Sequence, residues 1–96
     1  MDVLLLISSA DAAPLATPLG RALTRAGASW GCFLTNDGVK VAGDAAFAAA
    51  LVGAERRVVC EHSWDLHMDG HDCPLERGSQ TINSALVAEA TRVVSL

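Results

Sequence analysis

Asp2-Val3-Leu4-Leu5-Leu6-Ile7 carries five consecutive apolar side chains with no polar residue among them. Successive side chains of a strand point to opposite faces, so a strand with one face in water alternates apolar and polar residues. An unbroken run predicts a strand covered on both faces, as in a parallel sheet. Parallel strands need crossover connections, so helices are expected between the strands.

The following residues meet that expectation. Thr17-Pro18 reads as an N-cap with proline at the first helical position, and Leu19, Ala22, Leu23 and Ala26 repeat at helical spacing up to Gly27. Ser29 to Leu34 is a second strand, closed by the turn signal Asn36-Asp37-Gly38. Gly43-Asp44 caps a helix over Ala45 to Val52, whose alanine-rich composition predicts burial on most sides. Arg56 to Cys60 is a third strand. Residues 61–78 lack apolar periodicity and read as one irregular loop. Ser79 opens a last helix with Ile82, Ala85, Leu86 and Ala90 on one face, and Arg92 to Leu96 closes the chain as a strand. The 96 residues form one α/β domain, 1–96, with a parallel sheet of about four strands.

Charge and composition narrow the function. Seven Lys+Arg against eleven Asp+Glu leave a net charge of −4, without the basic face that phosphate neutralisation needs, so nucleic acid is not an expected partner. No apolar run approaches the roughly 20 residues of a membrane span. The first residues lack the cationic start of a signal peptide, and three cysteines do not suit a fully paired disulfide framework. A cytoplasmic protein with free thiols is expected. Three modest helices leave apolar surface on so small a domain, which predicts a homo-oligomer.

Chemistry concentrates between Cys60 and Cys73, which holds all three histidines, two of the three cysteines and four acids. Ligands of open parallel sheets bind beyond the carboxyl ends of the strands. Cys60 lies there, and Ser8-Ser9 and Asn36-Asp37-Gly38 leave the first two strands at the same edge. Helix amino ends bring partial positive charge and free N–H groups to this edge, conditions that favour a thiolate. Cys60 is the candidate nucleophile. Ser8, Ser9, Asn36, Asp37, Gly38 and Ser79 are candidate substrate-binding residues, although Ser79 reads first as a plain N-cap. Cys32, inside a strand, reads as core. Trp64 reads as a lid over Cys60 or an interface anchor, Trp30 as core or interface, and Arg56-Arg57 as a solvated pair.

Three segments give the chain a family likeness. Phe33-Leu34-Thr35-Asn36-Asp37-Gly38-Val39, Val58-Val59-Cys60 and Leu86 to Val94 resemble, in order and spacing, segments of the DsrE/DsrF-like (TusD-like) family of small sulfur-relay proteins. The resemblance implies a three-layer α/β/α sandwich with a mainly parallel sheet of four to five strands. It also implies oligomers and a persulfide on one cysteine. Cys60 would accept sulfane sulfur from a donor protein or small thiol and pass it to an acceptor protein, without a cofactor. The acids between Glu61 and Glu76 would dock a basic partner. The chain departs from the family after Cys60, where members continue into a helix ending in a basic pair and glycine. Cys73 is a candidate resolving thiol.

A second reading is a metal-binding or protein-interaction module on the same fold. Cys60, His62, His67, His71 and Cys73 include enough soft and borderline ligands for tetrahedral zinc. Their C-x-H and H-x-C spacings are not those of zinc fingers.

Overall fold

A computed structural model describes residues 1–96. The elements are β1 (Val3–Ile7), α1 (Ala13–Arg25), β2 (Trp30–Leu34), α2 (Ala45–Ala50), β3 (Arg56–Cys60), α3 (Glu61–His67), β4 (Glu76–Gly78), α4 (Gln80–Glu89) and β5 (Arg92–Ser95). The five strands form one sheet in the order β4-β3-β2-β1-β5, and every pairing is parallel. The apolar run at the amino terminus is thus the inner strand its pattern demands: Leu4, Leu5 and Ile7 are fully buried.

Helices cover both faces, giving an α/β/α sandwich. On one face, Leu5, Ile7, Trp30, Cys32, Leu34 and Val59 pack with Ala16 of α1, Phe47 of α2 and Trp64 of α3. On the other, Leu4, Phe33, Val58 and Cys60 pack against Leu86 of α4. Each fully buried large apolar side chain contributes roughly 1.5–3 kcal/mol. No helix is long and apolar enough to cross a membrane.

Several boundaries differ from the sequence expectation. α1 begins at Ala13, with Pro14 in its first turn, and runs through Pro18. Pro14 occupies the position where a missing N–H costs nothing, and Pro18 removes one bond from an otherwise continuous helix. The other end follows expectation. Gly27, at φ 74°, donates to the Thr24 carbonyl at 3.1 Å and Ala28 donates to Leu23 at 3.0 Å, a Schellman closure that needs left-handed glycine.

Asn36-Asp37-Gly38 does not make a simple turn; it opens a 3₁₀ segment running to Gly43. The α2 helix stops at Ala50 and tightens into a 3₁₀ turn over Leu51–Gly53. Only Phe47 and Ala50 of α2 are buried, and Val52 beyond it is 81% exposed, so the alanine-rich stretch is not enclosed as expected. Alanine favours helix without needing burial, and composition alone does not separate the two.

The largest correction concerns residues 61–78. In place of an irregular loop, the chain forms α3 directly after Cys60 and then β4. Trp64 anchors α3 in the core, and its Nε1 donates to the His71 carbonyl at 3.0 Å, folding the connection back on the helix. β4 is a polar edge strand, held by its register on β3 and by Arg56, whose Nη2 lies 3.2 Å from Glu76 Oε2.

Candidate functional site

Cys60 is the last residue of β3 and the N-cap of α3. This junction exists because Arg56-Arg57-Val58-Val59 pairs with β2, while Glu61 in the first helical turn complements the helix dipole. The residue is 4% exposed, with its side chain against Leu4, Phe33, Val58 and Leu86. Apolar burial alone raises a thiol pKa. Here burial is outweighed by donors directed at the sulfur, namely the Ser63 hydroxyl and N–H, the Gln80 side-chain amide and the His62 N–H, and together they hold the Cys60 pKa below its ordinary value. The site stabilises a sulfur anion.

Ser63 is 5% exposed, and its hydroxyl accepts the Asn36 N–H at 2.9 Å. Thr35 Oγ1 lies 3.5 Å from the same oxygen. Gln80, the first residue of α4, donates from Nε2 to Thr35 Oγ1 at 3.4 Å. The sulfur is therefore bordered by the ends of β2 and β3 and the starts of α3 and α4. Gly38 lets the 3₁₀ segment lie against the end of β1, where a Cβ would overlap the Ile7 backbone carbonyl.

The other expected residues divide by position. Asn36 enters the site through its backbone N–H, at φ 52°. Asp37 meets Lys40 at 3.7 Å and His67 Nδ1 at 3.2 Å, tying the 3₁₀ segment to α3. The Ser8 hydroxyl donates to the Leu96 carbonyl at 3.3 Å, and Ser9 Oγ accepts the Asp11 N–H at 3.2 Å, so both work as local ties. Ser79 is the N-cap of α4, accepting the Ile82 N–H at 3.4 Å. Trp64, 3% exposed, belongs to the core in place of a lid or an interface anchor, and Trp30 is core as well. Cys32 is fully buried, and desolvation pushes its pKa from 9.0 up to about 12, so it is an inert thiol at neutral pH.

The structure does not bring Cys60 and Cys73 together. Cys73 packs against the core on the other face of the sheet, and its thiol donates to the Leu75 carbonyl at 3.4 Å. The five candidate metal ligands do not assemble either: nowhere do three His, Cys, Asp or Glu side chains converge. His62 and His71 are exposed, and His67 faces Asp37. The largest cavity, about 410 Å³, lies at the opposite edge of the sheet, lined by Leu51, Glu55, Arg57 and Leu75 among others. Cys60 is thus cradled beneath the surface at the carboxyl edge, away from that cavity.

Ser63, Thr35 and Gln80 were not legible as site residues. The C-x-x-S spacing of Cys60 and Ser63 was an available signal, since it places a hydroxyl in the first turn of a helix capped by the cysteine. Nothing local pointed to Thr35 or Gln80. No protein-family model matches the chain, and no match is found among curated proteins or solved structures.

Proposed function

We propose that this protein is a sulfur carrier of the sulfurtransferase type, accepting sulfane sulfur as a persulfide on Cys60 and passing it to a partner. The observation that carries this reading is the Cys60 thiol itself, whose pKa is lowered by four donors despite apolar burial. Perturbed thiols at sheet edges are hallmarks of nucleophilic chemistry. The likeness to the DsrE/DsrF-like family points the same way. A helix follows Cys60, without the basic pair and glycine that the resemblance implies.

The reaction needs no change in overall oxidation level. The Cys60 thiolate attacks the outer sulfur of a hydropersulfide R–S–SH. A new S–S bond forms, the old one breaks, and RS⁻ leaves with the electron pair. The helix amino end and the Ser63 hydroxyl then stabilise the ionised persulfide. An acceptor thiolate attacks the outer sulfur in the same way and regenerates Cys60.

Cyanolysis tests this. Protein treated with inorganic polysulfide and desalted is expected to release thiocyanate in proportion to Cys60, and the Cys60→Ser variant is expected to release none. Equal thiocyanate from both proteins would overturn the assignment.

A further inference from the structure

The two most exposed large apolar side chains, Val52 at 81% and Leu66 at 68%, lie on different elements and have neighbours of opposite charge. Val52 borders a groove of about 370 Å³ between α1 and the end of α2, lined by Arg21, Thr24, Arg25, Ala49, Val52 and Gly53 among others. The groove is firmly built. A Cβ on Gly53 would overlap Thr24 Oγ1, and that oxygen accepts Trp30 Nε1 at 2.9 Å. Arg21 and Arg25 are both exposed and stand one turn apart on α1. The cations in ion pairs are Lys40, Arg56, His67 and Arg77, so both guanidiniums at the groove lack a carboxylate.

Leu66 has the opposite rim. It projects from α3, which Trp64 anchors in the core, and it lies between Asp65 and Asp69 in sequence. Both acids are exposed. Asp69 is in no ion pair, and Asp65 stays 68% exposed although it meets Arg77 at 2.9 Å. An apolar side chain rimmed by acids is the complement of an apolar groove rimmed by arginines. Burial of the leucine drives such a contact, and the charges orient it. α3 packs on β3 and on the 3₁₀ segment, whereas the groove belongs to α1 and α2, so a chain does not fill its own groove.

We propose that the groove between α1 and α2 receives the carboxyl end of α3 from a second copy of this chain, with Leu66 seated on Val52 and Ala49 and with Asp65 and Asp69 facing Arg21 and Arg25. Each copy offers one groove and one ridge, so the contact is heterologous and joins copies head to tail. Cys60 caps the other end of α3, and the contact does not use its thiol. The assembly therefore stands apart from the sulfur-carrier reading.

Sedimentation equilibrium of the full chain at micromolar concentration tests it. Wild type is expected to exceed its 10.0 kDa monomer mass. Reversing the groove with Arg21→Glu and Arg25→Glu, or the ridge with Asp65→Lys and Asp69→Lys, is expected to weaken association at least about tenfold, because like charges then meet. An equimolar mixture of the two reversed proteins is expected to regain wild-type assembly, which also shows that both are folded. Leu66→Ser, which leaves every charge in place, is expected to weaken association about tenfold through lost burial. A monomeric wild type would overturn the proposal. So would a ridge-reversed protein that associates as wild type does, since the groove face would then pair with itself, or a mixture that stays monomeric.

Discussion

The backbone N–H of Asn36 donates to the hydroxyl of Ser63 at 2.9 Å, joining the end of β2 to the first turn of α3. The serine oxygen accepts this bond, so its single proton is available to Cys60. Asn36 reaches the required direction in the left-handed region at φ 52°, which asparagine tolerates better than most residues. A backbone conformation two residues past β2 therefore helps to set the state of a thiol at the end of β3.

Ser63→Ala tests that link. The variant loses a hydroxyl donor to the thiolate and keeps the helix N–H groups, so its thiol pKa is expected to rise. At neutral pH, alkylation of Cys60 is expected to slow about tenfold, the equivalent of one hydrogen bond to a charged group. At alkaline pH, where both thiols are ionised, the rates should converge. A pH profile of alkylation checks this, and identical profiles for the two proteins would remove Ser63 from the account.

The two buried thiols give opposite stability profiles. Cys60 titrates lower in the folded state than unfolded, so its anion contributes stability fully above the unfolded pKa, and that contribution is lost as pH falls through the folded pKa. Cys32 titrates higher, from 9.0 to about 12, so its stabilisation is full below the unfolded pKa and is lost as pH rises through that window. Cys32→Val is expected to flatten the alkaline loss, because the variant has no thiol to titrate at that buried position. Urea melts across alkaline pH would show it. An unchanged slope would contradict the buried, neutral state of Cys32.

Gly38→Ala probes the packing that brings the 3₁₀ segment to the sheet edge. The added Cβ would meet the Ile7 backbone, and backbone yields less readily than a side-chain tip. A loss of about 2 kcal/mol is expected, at the scale of overpacked sites. It would appear as a lower urea midpoint with an unchanged slope. A midpoint equal to wild type would show that the segment gives way.

Self-association is proposed on the apolar surface around α2, where Val52 stands 81% exposed beside exposed alanines. Val52→Asp is expected to shift the protein toward monomer in sedimentation equilibrium. A wild-type chain that sediments only at 10.0 kDa at micromolar concentration would contradict the proposal.

The sequence was most informative where one residue type has one physical use. The unbroken apolar run gave β1 its inner place, Gly27 marked a helix end, and Asp44 marked a start, its carboxylate accepting the Phe47 N–H at 2.9 Å. The carboxyl-edge position of Cys60 followed from the parallel order. α3 was hidden because one tryptophan anchors it in the core while most of its other residues are polar. β4 was hidden because Glu76-Arg77-Gly78 contains no apolar residue, and β3 alone supplies its hydrogen bonds. The groups that meet near Cys60 come from segments up to 45 residues apart, as with Gln80 and Thr35, and no local pattern announces such a meeting.

Mass spectrometry of protein treated with inorganic polysulfide, digested without reductant, tests the central claim most directly. The account predicts one added sulfur atom, removable by reductant, on the peptide carrying Cys60, with Cys32 unmodified. Sulfur found only on Cys73, or on no cysteine at all, would contradict it.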